Sequence, residues 1–155
     1  MKKIILVPTD FTVQSLLPVE YAALHNPADE LDIILVHCAA LSNSISELLF
    51  YSPEEEINKY MNDAFANACH NLKNRFGSKI GSLRVELFHG FTTGAFENFI
   101  AAKKIQEILI PAGYRFVLHK TAVDPLRFIK SCSLPVSEVS LQIKNNPSQK
   151  DQAAA

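Results

Sequence analysis

Cysteine is scarce in this chain: Cys38, Cys69 and Cys132 are odd in number and stand without CxxC or CxxxC spacing. That pattern supports neither a disulfide framework nor a zinc site, and it fits a reducing compartment. An excess of one charge is also missing. Fifteen basic and sixteen acidic side chains leave a formal net charge of -1, so no global field draws the protein to nucleic acid or to an anionic membrane. No apolar run approaches the ~18 residues that cross a bilayer. The stretch Ile4 to Val7, ended by Pro8, is too short for the apolar region of a signal peptide. The sequence therefore reads as a cytoplasmic protein with neither nucleic acid nor membrane as a partner. Internal repeats, low-complexity tracts and a second hydrophobic pattern are absent as well, which leaves one domain over residues 1–144. Residues 145–155 are polar and small and are expected to form a disordered tail.

What is present alternates between two periods. Ile4 to Val7 and Leu31 to Val36 are continuous apolar runs, the pattern of strands buried on both faces. Between them Val13, Leu16, Leu17, Tyr21 and Leu24 recur at helical spacing, with Pro18 confining the helix start to about Ser15. His37 to Ser46 is polar and small-residue rich. Ser52, Pro53 and Glu54 to Glu56 combine a cap, a first-turn proline and acids that complement the helix dipole. Ile57, Tyr60, Met61, Ala64, Phe65, Ala68, Leu72 and Phe76 continue the 3.6 period until Gly77, so one long helix is expected there.

Leu83, Val85 and Leu87 alternate with Arg84 and Glu86, as in a strand near a sheet edge. A helix from Thr93 to about Lys104, a strand at Ile105 to Ile110, a helix starting at Asp124–Pro125 and running to Ser131, and a last strand at Pro135 to Ile143 complete the chain. Five strands separated by helices predict right-handed parallel crossovers. The expected fold class is α/β, a single five-stranded doubly wound parallel sheet with helices on both faces.

Five segments give this architecture a family likeness. KKIILVPTDFT at the start, LDIILVHCA about twenty residues later, Phe88–His89–Gly90 after the third strand, IQEILIPAG and SLPV resemble, in that order, the conserved stretches of the universal stress protein family. The likeness spans residues 2 to about 136. It implies a 3-2-1-4-5 strand order, with a ligand crevice at the carboxyl ends of strands one and four where the order reverses. In ATP-binding members the end of strand one and the backbone of strand two hold adenosine, while a G-x2-G-x9-G-S/T stretch wraps the phosphates. Here Pro8, Thr9 and Asp10 match the first feature, and Val36 stands at the adenine-reading position.

The phosphate loop does not match. Its place is taken by Ala112–Gly113–Tyr114–Arg115–Phe116, with Ala122–Val123 where Gly-Ser/Thr belongs. A phosphate cradle turns successive backbone N–H groups inward at positive φ with no side chain in the way, which bulky residues oppose. The resemblance thus argues for the fold and against tight ATP binding by the usual route.

The candidate crevice residues are Pro8, Thr9, Asp10, Val36, Gly90 and Gly113. Asp10 can accept hydrogen bonds from a ribose or a base amine, or it can cap a local turn. Arg115, His119 and Lys120 are candidate phosphate contacts by side-chain charge, against the plainer reading of a solvated loop. Phe116–Val117–Leu118 either plugs the crevice or packs on a partner subunit. Asp10, His37 and His89 all lie near strand ends, but strand alternation argues against a shared metal. His25 and His70 read as surface residues, and the cysteines as small hydrophobes. No catalytic residue is assigned, for no G-x-S-x-G or HxGH motif is present.

The resemblance thus implies a non-catalytic, stress-associated binding or signalling homodimer without a tightly held cofactor. Family members commonly pair through their last strands, although Ser137, Glu138, Ser140 and Gln142 make this one polar. The alternative is a binder of ATP or AMP that uses Arg115 and Lys120 in place of the glycine loop. An unrelated domain of the same architecture is the third reading.

Overall fold

The computed structural model describes residues 1–41 and 44–140. Residues 141–143 of the expected last strand and the segment 145–155 lie outside the described residues.

Runs of aliphatic side chains make strands with two apolar faces, and both faces must be covered. The strands are β1 (Lys2–Pro8), β2 (Glu30–Cys38), β3 (Ile80–Phe88), β4 (Glu107–Pro111) and β5 (Val136–Val139). All pair in parallel, in the order β3-β2-β1-β4-β5. β1 runs through the middle, with Pro8 opposite Val36. The strand alternation divides the core in two. Ile5, Val7, Ile33 and Leu35 face one side and pack with Leu16, Val19, Phe65 and Leu72. Leu6, Ile34 and Val36 face the other and pack with Phe96, Ile100, Phe128 and Ile129.

The helices that cover the first face are α1 (Leu17–His25), α3 (Pro53–Tyr60) and α4 (Asp63–Phe76); a 3-10 turn at Val13–Leu16 leads into α1. α5 (Thr93–Ala102) and α6 (Leu126–Ile129) cover the second. A short helix α2 (Ile45–Leu49) precedes α3 and buries none of its residues.

Two expectations are revised. The long helix expected from Ser52 to Phe76 is two helices, broken at Met61 and Asn62, which have extended backbone. Asn62 ends the continuity because its side chain caps the next turn, accepting from Phe65 N–H at 2.8 Å while its amide donates to the Phe11 carbonyl at 3.0 Å. The apolar period runs through unbroken, so periodicity alone does not show the break. Similarly, the strand expected over Leu31 to Val36 runs on to Cys38, and the polar, small-residue stretch from His37 to Ser46 leads into α2, where the Ser44 side chain accepts from Glu47 N–H.

Phe96 stacks at 5.7 Å on Phe128 and meets Phe88 edge-on at 5.2 Å, fully buried. Phe96→Ala is expected to lower stability by about 3–5 kcal/mol in urea unfolding, whereas Phe91→Ala, at a residue 68% exposed, should change it by less than about 0.5 kcal/mol.

Candidate functional site

Strands that reverse order at β1 and β4 leave a crevice at their carboxyl ends, and the residues that follow β1 are its floor. Thr9 continues the β1–β2 ladder, donating its N–H to the Val36 carbonyl at 2.9 Å. Its buried hydroxyl lies 2.8 Å from the Ser15 hydroxyl and accepts the Phe11 N–H at 3.1 Å. Phe11 takes φ 64°, a left-handed conformation that costs a bulky residue on the order of 1–3 kcal/mol. It is held there by Asn62 on its carbonyl and by its ring, which packs against Phe65, Tyr60 and His37. This sharp turn leaves Asp10 directed into the crevice.

Asp10 is only 3% exposed, and its carboxylate is fully engaged by the chain itself. Oδ1 accepts from the Thr12 hydroxyl at 2.6 Å and the Thr12 N–H at 3.2 Å. Oδ2 accepts from the Tyr114 hydroxyl and from the Val117 N–H, both at 2.7 Å. The Thr12 and Tyr114 hydroxyl oxygens are 2.8 Å apart, closing a triangle. Burial alone would raise the Asp10 pKa, but the hydrogen bonds from Thr12, Tyr114 and the Val117 amide together outweigh it and hold the carboxyl below its ordinary value of 3.8. Burial foremost, and then the neighbouring carboxylate, push the Tyr114 hydroxyl up to about 12.

The rest of that segment lies along the adjoining strand end. Residues 121–123 form an antiparallel bridge with Ala39: Ala40 N–H donates to the Thr121 carbonyl and Val123 N–H to the Cys38 carbonyl, each at 2.8 Å. The Tyr60 ring stacks on His119 at 5.2 Å, and its hydroxyl lies 2.9 Å from that of Thr121. Phe116 is buried and meets Tyr114 edge-on at 5.0 Å. Residues 114–123 therefore span the crevice from β4 to β2.

The structure brings Pro8, Thr9, Asp10 and Val36 together. Gly113 sits at φ 66° in the turn where the Tyr114 N–H reaches back to the Pro111 carbonyl. Gly90 belongs to packing, since a Cβ there would come within 2.8 Å of the Ala95 Cβ and 2.5 Å of the Phe88 ring. Arg115, His119 and Lys120 are exposed on the outer side of the segment. Of the Phe116–Val117–Leu118 stretch, the Phe116 ring and the Val117 amide point inward, while the Val117 and Leu118 side chains stay half exposed.

His37 donates from Nδ1 to the Thr9 carbonyl at 3.2 Å, and burial lowers its pKa, so the ring is neutral. Its buried Nε2 has no hydrogen-bond partner. Among the described residues no group of three His, Cys, Asp or Glu side chains is placed to hold a metal. Burial pushes the Cys38 thiol up to about 12 and that of Cys69 up to about 11, against any thiolate chemistry. Among the described residues no helix is long and apolar enough to cross a membrane.

Sequence reasoning missed Thr12 and Tyr60, and it took Tyr114 only as bulk. A hydroxyl two residues after Asp10 was the available signal, because Asp-x-Thr is a common local turn. Tyr114 lies 104 residues from Asp10, and nothing local announces that pairing.

No protein-family profile matches this sequence, and neither does any curated protein. Solved structures do match. The hypothetical protein PH0823 superposes with a TM-score of 0.53 at 17% identity, over 89% of this chain and 95% of that one. The universal stress protein UspA from Lactobacillus plantarum gives 0.51 at 17%, over 89% and 96%. The hypothetical protein MJ0577 gives 0.50 at 19%, over 89% and 95%. The chain has the universal stress protein fold, an α/β sheet of order 3-2-1-4-5 with helices around it.

With its pKa lowered by folding, ionised Asp10 adds stability that is present above pH 3.8 and is lost as the pH falls through the lowered folded value. Asp10→Asn should cost about 2 kcal/mol at pH 7. The gap from the unaltered chain should close as denaturation is repeated at successively lower pH below 3.8; a gap independent of pH would contradict this.

Proposed function

We propose that this chain is a member of the universal stress protein family that works as a non-catalytic binding or signalling domain, its nucleotide crevice closed by its own residues 114–123. The observation that carries the reading is the saturation of Asp10. All four of its hydrogen bonds come from the chain, two of them from the segment that stands where the family's phosphate loop would be.

A nucleoside reaching Asp10 must displace Tyr114 and the Val117 amide. Bonds to a charged group are worth about 1.5–3 kcal/mol each, so their loss together weakens a ligand by roughly two to four orders of magnitude. Adenosine is also obstructed at the end of β2, where the Cys38 carbonyl and Ala40 amide are paired with residues 121–123. The phosphate half offers a single positive-φ glycine, Gly113, followed by Tyr114. The residues present therefore do not fit ATP by the family's route.

Homodimerisation and a cytoplasmic setting complete the proposal. β5 is an outer strand with Val136, Ser137 and Glu138 exposed, and the three cysteines are free thiols. The alternative, an ATP or AMP binder using Arg115, His119 and Lys120, draws on the exposure of those three side chains. It requires the segment to lift away from Asp10.

Thermal melting with ATP, AMP and adenosine separates the two. A ligand at a hundred times its Kd adds about 2.7 kcal/mol, and the expected result is no shift with any of the three at millimolar concentration. A shift with ATP that Arg115→Ala or Lys120→Ala abolishes would establish the alternative. Sedimentation velocity should show a dimer; a monomer across the micromolar range would remove that part of the proposal.

A further inference from the structure

A second concavity lies outside the closed crevice, between α2–α3 and the carboxyl ends of β2 and β3. It is open to solvent and holds about 480 Å³, within the range of small-ligand sites. Leu41, Leu48, Phe50 and Tyr51 give it apolar and aromatic walls.

Its polar groups can be sorted by what they have left to offer. The His89 Nδ1 lies 2.7 Å from the Ala39 carbonyl, which can only accept, so that nitrogen carries the proton. In the neutral imidazole Nε2 is then an acceptor, and the Tyr51 hydroxyl 2.5 Å away donates to it. The Tyr51 oxygen retains only lone pairs for the cleft. The Tyr60 hydroxyl donates to Glu56 at 3.3 Å and accepts from Thr121 at 2.9 Å. The Ser52 hydroxyl donates to Glu54. Glu47, Glu55 and Glu56 are acceptors throughout. Among the described lining residues Lys59 is the one lysine or arginine; it is largely exposed and sits 3.6 Å from Glu56. Glu56 is the least exposed of this set, its side chain 17% accessible, yet both of its contacts are long.

We infer that this cleft binds a small organic ammonium with an apolar body. Such a ligand supplies positive charge to a lining in which three carboxylates face one lysine, with Glu56 as the counter-ion and the Tyr51 oxygen as a further acceptor. The aromatic walls add cation–π attraction. A carboxylate or phosphate ligand would meet three carboxylates and be repelled. The inference takes the segment 114–123 in the place described above, because Thr121 of that segment lines the cleft.

The test titrates 2-phenylethylammonium into the isotope-labelled full chain and follows the backbone amides of Glu55, Glu56 and Thr121 by NMR. 2-Phenylethanol and phenylacetate serve as the neutral and anionic controls of the same shape. The expected result is saturable shifts with the ammonium, binding about tenfold or more weaker with the alcohol, and none with phenylacetate. Raising the salt should weaken the ammonium. Glu56→Gln should reduce its affinity about tenfold without changing the melting temperature. Should that variant fail to fold, Glu47→Gln combined with Glu55→Gln, both at exposed positions, provides the same reading. Alcohol binding as tight as the ammonium, saturable binding of phenylacetate, no saturation by the ammonium at millimolar concentration, or affinity unchanged in the acid variants would each overturn the inference.

Discussion

A carboxylate removed from water must recover its hydration from the protein, and in this fold that requirement falls on Asp10. It stands just after the central strand, at the point where the strand order reverses, and is nearly inaccessible to solvent. Left without donors there, an ionised group would cost several kcal/mol. Four donors from two distant parts of the chain meet the demand: Thr12 just downstream, and Tyr114 with the Val117 amide from the far side of the sheet. The consequence is mechanical as well as electrostatic. Fixing Tyr114 and Val117 fixes the segment between them, which buries Phe116 and carries the chain across to pair with Ala39.

In an open α/β sheet the carboxyl ends of the strands are where ligands bind, because loops there converge and unpaired backbone groups face the crevice. Here the same groups are used within the chain. The carbonyl of Cys38 and the amide of Ala40 go to residues 121–123, and the Asp10 oxygens go to Thr12, Tyr114 and the Val117 amide. Tyr114 and the Val117 amide direct their donors to an internal carboxylate. The open cleft beside α2 and α3 has an acceptor-rich lining and meets the closing segment at Thr121.

The architecture was legible because parallel sheets are written locally: Ile4 to Val7 and Leu31 to Val36 can be covered only from both sides, and the cap at Ser52–Pro53 is visible in four residues. The break at Asn62 was not, since a capping side chain interrupts a helix without disturbing the apolar period around it. The candidate site divides in the same way. Pro8, Thr9, Asp10 and Val36 could be placed from the strand ends alone, and the bulk of Tyr114 and Phe116 could be set against a bare phosphate loop. That the Tyr114 hydroxyl and the Val117 amide serve Asp10 depends on a contact across more than a hundred residues, which no short-range pattern encodes. His89 was legible singly, but Tyr51 was not, and their pairing rests on the path of α2, a helix with no buried face to announce it.

The contact between Asp10 and the Val117 amide can be read at a single proton. The Val117 side chain is half exposed, so its amide has no shelter other than that hydrogen bond and the segment it fastens. Native-state hydrogen exchange followed by NMR should find the Val117 amide protected to about the level of global unfolding, and Asp10→Ala should release it while leaving the amides of β1 and β2 slow. Rapid exchange of Val117 in the unaltered chain would mean that the segment does not rest on Asp10 and that the crevice stands open.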